Sequence, residues 1–75
     1  MPVTRKDMVV IAGRLRQVRS LQSVADWQKG VAFVAIALYE LNSNFQIMRF
    51  MDAVGAEEGD KAQIIAMYRL MGGAA

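Results

Sequence analysis

Residues 23–42 read SVADWQKGVAFVAIALYELN, and this stretch decides the fold. Ser23, with Asp26 three residues later, has the spacing of a helix-opening capping box, Asp standing in for the usual Glu. Val24, Trp27, Val31, Val34, Leu38 and Leu41 then recur at helical spacing as one apolar stripe. Lys29 and Glu40 mark the ends of the opposite side, but Phe33, Ile36 and Ala37 lie between them. A helix that is apolar nearly all round is buried on more than one side. The stretch therefore predicts a helix that is either the centre of a bundle or the seam of a dimer.

Its neighbours in the chain are predicted to be helices too. β-Branched residues nowhere alternate with polar ones, and Pro2 is the only proline. Upstream, Thr4-Arg5-Lys6-Asp7 has the capping spacing again, and Met8, Ile11, Ala12, Leu15 and Val18 follow as a stripe. Residues 20–23 form a break. Downstream, Asn42-Ser43-Asn44 is expected to end the central helix and cap the next. Ile47, Phe50, Met51 and Val54 give that third helix one apolar side, and Gly55 suits the left-handed position after its last turn. Residues 56–59 read as an acidic linker, and Asp60 as the cap of a fourth segment with Ile64, Met67, Tyr68 and Met71 on one face. Gly72-Gly73 stops it. The predicted fold is all-α: a small bundle of three helices plus a short C-terminal fourth helix, in one domain over residues 1–75.

Composition narrows the function. The sequence has 75 residues with neither Cys nor His, so disulfides, thiolate metal sites and imidazole ligands are excluded. A core this small rarely supplies more than about 3–5 kcal/mol without such support. The hydrophobic fraction is 55%, against about 45–50% in ordinary globular chains. Some apolar residues are therefore expected to meet another chain. Residues 1–19 carry Arg5, Lys6, Arg14, Arg16 and Arg19 against Asp7, a net of +4, although the whole chain is only +2. The longest uncharged run, residues 30–39, is far short of a membrane span of ~20 residues. The N-terminus lacks the apolar stretch of a signal peptide. A cytoplasmic location without membrane contact is expected.

Thr4-Arg5-Lys6-Asp7, then Ile11-Ala12 and Leu15, followed by Asn42, Phe45, Arg49-Phe50, Ala53 and Gly55, resembles a group of very short bacteriophage and prophage proteins. The resemblance covers roughly residues 3–55. It implies a phage gene product acting inside a bacterial host cell. Two departures stand out. Ser43 occupies a position where such proteins often have Pro, and the chain continues past Gly55, where they tend to end. Residues 1–55 thus form the family-like core, and residues 56–75 add an acidic linker and an extra helix open to a role of its own.

Catalysis is not expected. Glu57, Glu58 and Asp60 share a segment but match no calcium loop and no general acid/base motif, and a solvated linker with a helix cap accounts for them. Ser20, Ser23 and Ser43 sit at helix boundaries, where Ser serves as a cap. No phosphate loop and no cofactor motif is present. Two kinds of surface are left. Phe33, Ile36 and Ala37, with Met48, Met51, Met67 and Met71, are candidates for a partner or oligomer interface, since interfaces are enriched in aromatics and Met. Arg5, Arg16 and Arg19 fall within about a third of a helix circumference and are candidates for anion contacts. The ordinary reading of the first set is core, and of the second a solubilising face. The sequence points to a non-enzymatic interaction protein that forms a dimer or binds a host or phage protein. Its alternative is a small nucleic-acid-binding accessory protein using the first helix.

Overall fold

A computed structural model describes residues 4–73. They form four α-helices, α1 (Arg5–Val18), α2 (Val24–Leu41), α3 (Ile47–Ala53) and α4 (Glu58–Leu70), with a single 3-10 turn, Arg19–Leu21, between α1 and α2. No strand occurs among the described residues. The fold is all-α, as the periodicity predicts.

The helix boundaries follow from local hydrogen bonding. At α1 the Asp7 N–H donates to Thr4 Oγ1 (3.2 Å) and the Thr4 N–H donates to Asp7 Oδ2 (3.0 Å), a complete capping box. The Asp26 N–H donates to Ser23 Oγ (3.2 Å) at the start of α2. The end of α2 differs from expectation. Asn42 turns its side chain onto the N–H of Asn44 (3.0 Å), so the segment is spent on a turn. α3 then starts later, with Gln46 at its N-cap and no side-chain bond there. α4, in contrast, starts earlier than expected. Glu57 is its N-cap, and Asp60 lies one turn inside, accepting from the Glu57 N–H (3.1 Å).

Two helices end in the same way. Gly55 (φ 77°) follows α3; its N–H donates to the Asp52 carbonyl, and the Ala56 N–H donates to the Met51 carbonyl. Gly72 (φ 96°) follows α4; its N–H donates to the Arg69 carbonyl, and the Gly73 N–H donates to the Tyr68 carbonyl. These are paired Schellman closures, which need a residue without a Cβ penalty at positive φ.

α2 is the spine of the bundle. α4 is its main neighbour, and α1 packs chiefly on α3. Trp27, Val31, Ala35 and Leu38 meet Phe50, Met51, Val54, Ile64 and Tyr68 in the core. Phe45 packs edge-on against Phe50 at 5.4 Å between ring centroids, and Tyr39 against Tyr68 at 6.1 Å. α1 contributes only Ala12 to the fully buried set, while Met8, Ile11, Leu15 and Val18 lie half-covered against it. The fourth helix, 13 residues long, supplies Ile64 and Tyr68 to the centre and so belongs to the core itself.

Candidate functional site

α2 buries one side. Its buried residues, Trp27, Val31, Ala32, Ala35 and Leu38, fall on one arc of the helix, which leaves the far arc to solvent. Phe33 is 60% exposed and Leu41 61%, and Ala37 between them is exposed as well. The expectation that this helix is closed on two sides is therefore corrected: within one chain the second side is open. Ile36 does not share that fate. It sits at the flank and packs half-buried against the core. At ~100° per residue Phe33, Ala37 and Leu41 span an arc of about 80° and a length of about 12 Å. Lys29 and Glu40 flank them, both exposed, and neither is in an ion pair among the described residues.

The methionines divide. Met51 is wholly buried under α2, so it is removed from the set of candidate interface residues. Met67 and Met71 are half-buried against the core from α4, and Met48, on α3, is exposed. The four methionines thus differ in burial, with one enclosed, two half-buried and one exposed, and do not form one exposed set.

The arginines divide too. Arg19 is committed to the fold, which corrects its assignment as an anion contact. Its Nη1 donates to the Gly55 carbonyl (2.6 Å), its Nη2 donates to Asp60 Oδ2 (2.7 Å), and its guanidinium lies 4.7 Å over the Trp27 ring. The Trp27 indole N–H in turn donates to the Leu15 carbonyl (2.8 Å). Asp60 also accepts from Gln28 Nε2 (2.8 Å) and is buried. Burial pushes the Asp60 carboxyl up, but the Gln28 and Glu57 N–H donors and the Arg19 charge outweigh it and hold the carboxyl below its ordinary range. One network thus ties α1's end, α2, the α3–α4 turn and α4 together. Glu57 and Glu58 stay exposed beside it.

Arg16 lies beside Gly55 near this network. Arg5 is at the other end of α1, in a groove between α1 and α3 shared with Arg49. Since Arg5 faces the start of α3 and Arg16 its end, the two helices run in parallel, and the three arginines form no common basic face. Arg49 and its relation to Arg5 escape sequence reading, because residues 44 positions apart share no local pattern. One signal was present: each is a cation in the first turn of its helix, where the dipole favours an acid.

Among the described residues no group of three acidic side chains comes together in a way that fits a metal ion. No described helix is long and apolar enough to cross a membrane. The chain matches no protein-family model, no curated protein and no solved structure.

Proposed function

We propose that this chain is a non-enzymatic interaction protein that acts by docking the outer face of α2 on another chain, in the first place a second copy of itself. The observation that carries this is Phe33, a large aromatic side chain 60% exposed at the middle of a helix, with Ala37 and Leu41 on the same side. Burying a Phe or Leu side chain is worth about 1.5–3 kcal/mol, so two copies sharing the face gain from each residue twice. The charges suit an antiparallel pair. Lys29 of one copy approaches Glu40 of the other, and twofold symmetry repeats the contact. Such rim pairs add register more than energy. The resemblance to short phage proteins supports a role in the bacterial cytoplasm, in which the same face serves a host or phage protein when the partner is not a copy.

Light scattering at micromolar concentration tests the reading. A dimer is expected, and Phe33→Glu is expected to give a monomer with unchanged helix content. Phe33 is the right position and Ile36 is not, because Ile36 also supports the core. A monomeric unmodified protein refutes self-association.

A further inference from the structure

The groove between α1 and α3 has a volume of about 290 Å³ and is lined by no residue of α2. Its apolar lining is Met8, Val9, Phe50 and Ala53, of which Phe50 is buried while Val9 and Ala53 are exposed. Arg5 from α1 and Arg49 from α3 line it together with Asn44 and Gln46, and no carboxylate does. Among the described residues neither arginine is in an ion pair or hydrogen bond. Neither cation helps its own helix. Arg5 is the first residue of α1 and Arg49 the third of α3, places where the helix dipole disfavours positive charge. Two unpaired guanidiniums beside an apolar lining call for a ligand that is apolar at its centre and anionic at its edges.

We propose that this groove binds an acidic peptide segment of a partner protein, one or two apolar side chains lying on Met8, Val9 and Ala53 while flanking carboxylates meet Arg5 and Arg49. The volume, at the foot of the ~300–1,000 Å³ range of small-molecule pockets, is enough for one or two apolar side chains of such a segment. Guanidinium forks match carboxylates two bonds at a time. A nucleic-acid strand would find the cations but no aromatic face to stack on, since the one ring in the groove, Phe50, is buried. The site is independent of the α2 face, so dimer formation and peptide binding succeed or fail separately.

The test is a titration of the isotope-labelled full chain, followed by amide NMR shifts, with the acetylated peptide Asp-Leu-Glu-Phe-Asp. The controls are Asp-Ser-Glu-Ser-Asp, Lys-Leu-Lys-Phe-Lys and a single-stranded oligothymidylate. Shifts are expected at Val9, Gln46 and Ala53 with the first peptide and not with the first two controls. Arg5→Gln and Arg49→Gln are each expected to weaken binding about threefold to tenfold, as loss of one charge contact of about 1 kcal/mol implies. Val9→Glu, at an exposed position, is expected to abolish it by placing a carboxylate in the groove. Phe33→Glu is expected to leave it unchanged. Equal binding of the lysine peptide, indifference to both arginine substitutions, or no shift at the groove overturns the proposal. Tighter binding of the oligothymidylate through the same arginines overturns it as well and assigns the groove to phosphates.

Discussion

Replacing Asp60 by Asn probes the one buried charged side chain among the described residues. The carboxylate accepts three hydrogen bonds, from Arg19 (2.7 Å), Gln28 (2.8 Å) and the Glu57 N–H (3.1 Å). Asn keeps the shape but turns one acceptor into a donor, so at least one of these donors loses its partner. A hydrogen bond to a charged group is worth about 1.5–3 kcal/mol. The Arg19 side chain is a third exposed, which brings its share down toward the ~0–1 kcal/mol of a surface pair. The expected cost at neutral pH is therefore about 1.5–3 kcal/mol, a large part of what so small a core supplies. The dependence on pH carries a sign. The folded carboxyl is held below its ordinary value of 3.8, so its contribution is fully present above that value. It is lost as pH falls through the folded value. The gap between the native chain and Asp60→Asn should therefore narrow from about pH 5 downward, because Asn has no proton to gain. Urea unfolding followed by far-UV circular dichroism at a series of pH values measures it. A neutral-pH gap below about 0.5 kcal/mol, or a gap that is constant or wider in acid, refutes the network as a source of stability. Pairing the change with Arg19→Met in a double-mutant cycle should give a coupling of about 1 kcal/mol or more.

Other substitutions separate buried from exposed roles. Met51→Ala, at a wholly buried site, should cost about 2–5 kcal/mol in urea unfolding, whereas Met48→Ala should stay within about 0.5 kcal/mol. Gly55→Ala should cost about 1–2 kcal/mol for its positive φ alone, since an added Cβ would meet only the Arg16 side chain at an ordinary 3.5 Å. Tyr68→Phe should be neutral or stabilising by up to about 1 kcal/mol, because the buried Tyr68 hydroxyl has no hydrogen-bond partner. A loss above 1 kcal/mol in the thermal or urea midpoint would show that the hydroxyl is satisfied in solution.

The division between sequence and tertiary structure runs through particular residues. Periodicity and caps are local, and they were legible. The stripe Ile47, Phe50, Met51 and Val54 is buried throughout, the Thr4–Asp7 box forms, and both glycine stops appear at positive φ. These depend on spacing within one or two turns, which the chain carries wherever it is placed. Local patterns were ambiguous where two neighbours compete for one role. Asn44 was free to cap α3 but lies in a turn, and Asp60 to be a cap but lies one turn inside α4. Which side of α2 is covered was not legible at all. Phe33 and Val31 are equally apolar in the sequence, yet α1, α3 and α4 together cover only one arc. The same holds for charge. Arg5, Arg16 and Arg19 look alike in the sequence, and only long-range packing gives Arg19 a buried carboxylate, leaves Arg16 beside a turn and sets Arg5 in one groove with Arg49. A side chain's chemistry belongs to the sequence, but its partner is chosen by how rigid helices fill space around a shared core. That choice depends on contacts between residues tens of positions apart.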